Sequence, residues 1–93
     1  MHNNSLCGEI FGYVGSKFVT LNVGIDATTG SIALYRGGWD IIHLIGMVDS
    51  GNIKIRIMNR GWFKTKVLIE IEEEPMLLET GNKFGDVLRK IFE

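Results

Sequence analysis

The groups in this sequence that are best suited to nucleophilic catalysis are the thiol of Cys7 and the imidazole of His43. A thiol and an imidazole that meet in space can act as a nucleophile and its general base. Neither has a catalytic partner nearby in sequence, and the common nucleotide-binding, hydrolase and metalloprotease motifs are absent. The ordinary expectation is a small buried Cys7 and a His43, inside an apolar run, that is packed or lies at an interface. We predict no catalytic residue, no cofactor and no metal, and catalysis is the less expected role.

A second chemical signature is the separation of charge along the chain. Five cations and no anion occur from Ile53 to Val67, whereas five anions and no cation occur from Leu68 to Glu79. A cationic strand pair with an indole at its end can bind phosphates while the ring stacks on a base or sugar. The candidate polyanion-binding residues are Lys54, Arg56, Arg60, Trp62, Lys64 and Lys66.

Apolar alternation predicts the register of the hairpin that carries these cations. A three-residue loop at 59–61 sets Ile57 opposite Phe63 and keeps one face apolar. The other face then has like charges opposite each other, which destabilises a strand pair. The cation pairs in this register are Arg56 with Lys64 and Lys54 with Lys66. The alternative is a solvated face, or pairing with the acidic stretch Glu70–Glu74.

Composition limits the class of protein. The chain has 93 residues, 45% of them hydrophobic and 23% charged, with a net charge of −1, which is typical of one small globular domain spanning 1–93. This charge gives no overall attraction to nucleic acid or membranes. The longest apolar run, Ile41–Val48, is far shorter than the roughly 20 residues of a membrane span. One cysteine and no visible signal peptide predict a cytoplasmic protein.

The elements that must position these groups are short strands. Glycines punctuate segments rich in Ile, Val, Phe and Thr, which predicts a mainly β (α+β) fold of about six antiparallel strands, as a meander or small barrel over residues 6–74. The predicted strands are Leu6–Val14, Lys17–Ile25, Ser31–Arg36, Trp39–Val48, Ile53–Asn59 and Phe63–Glu74. The run at 39–48 is also compatible with a buried helix.

The carboxyl end has helical periodicity. Its apolar residues follow the spacing of one helical stripe, which predicts a C-terminal helix at about 82–92 that caps the sheet, with Asn82 as its N-cap. The stripe consists of Phe84, Val87, Leu88, Ile91 and Phe92. Pro75 is expected to end the last strand. Strands followed by one terminal helix resemble the late part of pleckstrin-homology and GRAM-type domains, and this resemblance is one of element order.

These observations predict a non-catalytic binding or assembly module that forms homo-oligomers and has no membrane span. The first alternative is a module that binds nucleic acid or another polyanion through the basic hairpin at 54–66. The second alternative is a small enzyme or ligand-binding barrel that uses Cys7 and His43.

Overall fold

The computed structural model describes residues 6–37, 42–48 and 52–92, and shows a curled half-barrel of seven antiparallel strands with one C-terminal helix. The elements are β1 (Leu6–Val14), β2 (Lys17–Ile25), β3 (Ile32–Gly37), β4 (Ile42–Met47), β5 (Ile53–Arg60), β6 (Lys64–Ile71), β7 (Glu74–Gly81) and α1 (Asn82–Phe92).

The sheet consists of two meanders joined edge to edge. Its strand order is β4-β3-β2-β1-β7-β6-β5, so that β4 and β5 form the two edges. The meanders meet where β1 pairs with β7 at Phe11 and Glu79. The sheet therefore curls around a core without closing into a barrel.

The predicted mainly β architecture with a terminal helix is confirmed, and β1 and β2 have the predicted bounds. The ambiguous run at 39–48 is a strand from Ile42 to Met47, and its residues 39–41 lie outside the described part of the chain. The number of strands was underestimated because β7 lies at Glu74–Gly81, where no further strand was predicted. The predicted strand Phe63–Glu74 corresponds to β6 and the turn that follows it.

A tight turn at Glu72 and Glu73 separates β6 from β7. Both residues have positive φ, at 51° and 70°, a conformation that favours glycine or asparagine. Because glutamates occupy it, the turn has no recognisable sequence signal. Pro75, predicted to end a strand, lies instead near the start of β7, opposite Glu70. Its missing N–H is tolerated there because Pro75 lies beyond the point where β1 pairs with β7.

The core lies between the inner face of the sheet and α1, which contacts β5, β6 and β7. Helix side chains were correctly predicted to dock on the sheet, and Leu88 is fully buried. Ile91 is the exception within the predicted stripe, since 41% of its surface is exposed. The most deeply buried apolar side chains are Ile10, Leu21, Val23, Leu34, Val67, Ile69, Leu78 and Leu88.

The helix can dock only because two glycines remove side chains from the contact. A Cβ at Gly85 would lie 2.5 Å from Oγ1 of Thr65 on β6, and a Cβ at Gly8 would overlap the ring of Phe84. Thr65 is itself buried, and its hydroxyl donates a 2.8 Å hydrogen bond to Oδ1 of Asn82 at the start of the helix. The helix backbone therefore lies directly against β6 at this point.

This contact makes Gly85→Ala destabilising, although alanine in place of glycine ordinarily stabilises a helix interior by about 0.5–1 kcal/mol. We expect the added methyl group to lower the free energy of unfolding by about 1–3 kcal/mol, the usual range for overpacking. Urea denaturation measures the change.

The control is Gly81→Ala, where an added Cβ meets nothing within 4 Å. This variant should be at least as stable as the unmodified protein, because an unstrained alanine lowers the conformational entropy of the unfolded chain. A Gly85→Ala protein as stable as this control would show that the close approach of α1 to β6 is not a constraint.

Candidate binding surfaces

The hairpin formed by β5 and β6 has a different register from the predicted one. Ile57 lies opposite Val67 rather than Phe63, because the loop spans residues 61–63 and a bulge interrupts β5 between Ile57 and Asn59. The two registers differ by four residues, an even number, so the same side chains face the core in both. Apolar alternation alone therefore could not distinguish them.

The corrected register removes the predicted cation–cation pairs. Lys54 lies opposite Glu70, and Arg56 lies opposite Leu68. Lys64 and Lys66 lie opposite Gly81 and Glu79 on β7. The predicted register placed like charges opposite each other, whereas the observed register places Lys54 and Lys66 opposite glutamates. Opposite charges across a strand pair are the more stable arrangement.

Two of the candidate cations form ion pairs. Nε of Arg60 lies 2.9 Å from Oδ1 of Asp86 on α1, and Nζ of Lys64 lies 3.5 Å from Oε1 of Glu79. Both pairs are solvent-exposed, where each contributes roughly 0–1 kcal/mol. Asp86 on the helix and Glu79 on β7 thus neutralise part of the positive charge of the hairpin. Polyanion binding by this set of residues stays a prediction.

An apolar surface that the sequence analysis missed lies on the outer face of the sheet. Four side chains form this aromatic patch: Phe11, Tyr13, Phe18 and Leu77. The neighbours Ile10 and Leu78 point into the core, which directs the patch residues outward. The ring centroids of Tyr13 and Phe18 lie 5.2 Å apart in an edge-to-face arrangement.

A shallow groove of about 460 Å³ follows the aromatic patch where β1 and β7 diverge. Lys64, Lys66 and Glu79 line its other side, and Nζ of Lys64 lies 5.0 Å from the ring centroid of Phe11. A cation over an aromatic ring at this distance is an attractive contact. The arrangement can bind an apolar partner surface with a polar rim.

The second exposed apolar feature is the hairpin tip, which consists of Gly61, Trp62 and Phe63 between β5 and β6. The exposed fractions are 93% for Trp62 and 84% for Phe63. Phe63 was predicted to face the core opposite Ile57, and this is wrong because the residue belongs to the loop.

Hydrogen bonds hold the backbone of the hairpin tip. Gly61 N–H donates to the carbonyl of Lys64 at 2.8 Å. Asn82 donates twice, from Nδ2 to the carbonyl of Gly61 at 3.0 Å and from its backbone N–H to the carbonyl of Phe63 at 3.2 Å. The side chain of Asn82, predicted as an N-cap, thus fastens the loop and Thr65 to the start of the helix.

The reactive residues Cys7 and His43 do not meet. Both side chains are exposed, Cys7 on β1 and His43 on β4. The prediction of a buried Cys7 is therefore wrong, and His43 is not packed within this chain, whereas its role as an interface histidine stays a prediction. Two strands lie between β1 and β4, and three strand spacings amount to roughly 14 Å. A thiol–imidazole pair needs about 3 Å, and the sheet excludes it.

Within residues 6–37, 42–48 and 52–92, no group of three or more His, Cys, Asp or Glu side chains could hold a metal ion. No helix there has the length and apolar character needed to cross a bilayer.

Comparison of the chain with protein-family models, curated proteins and solved structures finds no match. The resemblance to pleckstrin-homology and GRAM-type domains therefore remains one of element order.

Asn82→Ala tests how the hairpin tip is held. The variant removes the partner of the buried Thr65 hydroxyl and of the Gly61 carbonyl. We expect a loss of about 1–3 kcal/mol in the free energy of unfolding, the usual cost of leaving such groups unpaired. In a Trp39→Phe background, the steady-state anisotropy of Trp62 fluorescence should also fall because the loop gains mobility.

Asn59→Ala is the control, since Asn59 is exposed on neighbouring β5. It should change neither stability nor anisotropy. Equal values for the Asn82 and Asn59 variants would contradict the role given to Asn82.

Proposed function

We propose that this protein is a non-catalytic binding and assembly module in which the aromatic patch of one copy packs against the aromatic patch of a second copy. The observation that carries this proposal is the exposure of three adjoining apolar side chains on the outer sheet face. Tyr13 is 70% exposed, Phe18 is 54% exposed and Leu77 is 53% exposed.

The energetics favour covering this surface. Burial of apolar surface stabilises association by about 25 cal/mol per Å², and an aromatic side chain buries about 150–250 Å². Stable interfaces bury about 1,200–2,000 Å² in total, with an apolar centre and a polar rim. The aromatic patches of two copies supply such a centre, and Lys66 and Glu79 lie at the rim.

The charges of the protein are compatible with contact between two copies. The net charge of −1 produces little repulsion between copies. Lys64 and Glu79, which border the patch, already form an ion pair, so covering them leaves no isolated charge. The bulge in β5 and the cations on its exposed side disfavour strand addition at that edge, which makes the sheet face the better contact.

A second candidate function is the binding of nucleic acid or another polyanion. The observation that favours it is Trp62, fully accessible for stacking on a hairpin that carries Lys54, Arg56 and Lys66. These three cations are exposed and form no ion pair with any described residue. The proposal ranks second because Arg60 and Lys64 already pair with carboxylates.

Size-exclusion chromatography with light scattering tests the first candidate. Over a range of concentrations the unmodified protein should run as a dimer or larger oligomer, with a mass that salt does not change. The double variant Tyr13→Ser/Phe18→Ser should run as a monomer, because it removes two of the patch aromatics at sites where folding does not require them.

The matched control is Trp62→Ser/Phe63→Ser, which removes two aromatics from the hairpin tip and should remain oligomeric. An unmodified protein that is monomeric at every concentration would refute self-assembly. Excess absorbance at 260 nm that high salt removes would favour the polyanion candidate instead.

A further inference from the structure

The hairpin tip is an apolar feature independent of the aromatic patch. Trp62 and Phe63 are adjacent in sequence, and both are almost entirely exposed to solvent. The carbonyls of Gly61 and Phe63 are fixed by Asn82, so the loop backbone is held in place by the helix start. A rigid loop that projects two aromatic side chains is arranged for contact with a partner, because association then orders few further groups.

Cations surround this tip. Arg60 and Lys64 border the loop, Lys66 follows on β6, and Lys83 lies next to Asn82 in the first helical turn. Asp86 and Glu79 are the paired carboxylates of this region, which leaves a net charge of +2. Lys83 is unfavourable for the helix because its charge adds to the positive end of the helix dipole. Lys83 therefore adds positive charge near the tip and lowers the stability of the helix.

The opposite end of the same hairpin system is acidic. Strand β6 runs from the hairpin tip to the turn at Glu72 and Glu73, followed by Glu74 at the start of β7. Its eight residues span roughly 26 Å. The molecule thus has a positive end that carries two exposed aromatics and a negative end that carries three carboxylates. A negatively charged surface attracts the first end and repels the second.

From this arrangement we propose that the hairpin tip anchors the protein on the surface of an anionic lipid bilayer. Trp62 and Phe63 enter the boundary between headgroups and acyl chains, where tryptophan is enriched and apolar side chains are buried. Lys66 and Lys83, which form no ion pair with any described residue, then face anionic headgroups. The contact is peripheral and needs no membrane-spanning element.

A second copy is a poorer partner for the tip. Two tips that meet would oppose two positively charged regions, and four side chains bury less area than a stable dimer needs. Charge complementarity thus favours an anionic surface.

The experiment uses the full chain and vesicles of phosphatidylcholine, with and without phosphatidylserine. The unmodified protein should co-sediment with the vesicles that contain phosphatidylserine and remain in solution with the neutral ones. The variant Trp62→Ala/Phe63→Ala should bind about tenfold more weakly or not at all. The matched variant Tyr13→Ala/Phe18→Ala, which alters the aromatic patch, should still co-sediment with phosphatidylserine vesicles and not with neutral ones, although loss of self-association lowers its avidity.

Fluorescence adds a readout at the tip itself. In a Trp39→Phe protein, Trp62 is the one remaining tryptophan, and its emission should shift to the blue when phosphatidylserine vesicles are added. Lys83→Glu should weaken this shift. Circular dichroism of each variant checks that the fold is retained.

Absence of sedimentation and of a blue shift would overturn the proposal, as would binding that the Trp62→Ala/Phe63→Ala variant leaves unchanged. Quenching of Trp62 by single-stranded oligonucleotides without vesicle binding would assign the tip to nucleic acid. A blue shift that depends on protein concentration alone would assign it to a second copy. Neither of these two results depends on whether the aromatic patch forms dimers.

Discussion

The close approach of α1 to β6 is the contact on which the rest of the structure depends. Gly85 lets the helix backbone lie against Thr65, and Asn82 joins the start of the helix both to Thr65 and to the loop at Gly61. One helix therefore covers the inner face of β5, β6 and β7 and also fixes the hairpin tip. In a chain of 93 residues with one modest core, a single well-placed helix has a large share in stability.

Because the helix covers only the inner face, the outer face stays in contact with water. The aromatic patch lies there, with more than half of Tyr13 exposed, and the hairpin tip projects from one end of the sheet. The two surfaces differ in electrostatics. Charges beside the patch are balanced by the Lys64–Glu79 pair, whereas the tip region keeps a net positive charge. An apolar surface whose neighbouring charges are paired is suited to contact with a second copy of the chain, and a positively charged surface is suited to an anionic partner.

Sequence patterns predicted the fold well because they depend on local physics. Strand alternation, glycine turns and the helical stripe are each readable within a few residues, and they placed β1, β2 and α1 correctly. The turn at Glu72 was missed because its left-handed conformation has no glycine or asparagine to mark it. The register of β5 with β6 was wrong because a shift of four residues preserves the apolar face.

The candidate surfaces were less predictable because they depend on contacts between distant segments. The basic residues at 54–66 were identified, but their ion pairs with Asp86 and Glu79 join strands to a helix and to another strand. The aromatic patch combines β1, β2 and β7, and nothing in the spacing of Phe11 and Leu77 indicates that they are neighbours. The exposure of Phe63 could not be predicted, because the predicted register assigned this residue to a strand and the observed one places it in the loop.

Amide chemical-shift mapping distinguishes two separate binding surfaces on this fold from a single shared one. Spectra of ¹⁵N-labelled protein would be recorded against protein concentration and then against bicelles containing phosphatidylserine. Dilution should shift the amides of Tyr13, Phe18 and Leu77, whereas bicelles should shift those of Trp62, Phe63 and Lys83. Shifts confined to β3 and β4 in either titration, or one set of residues responding to both, would contradict the presence of two separate surfaces.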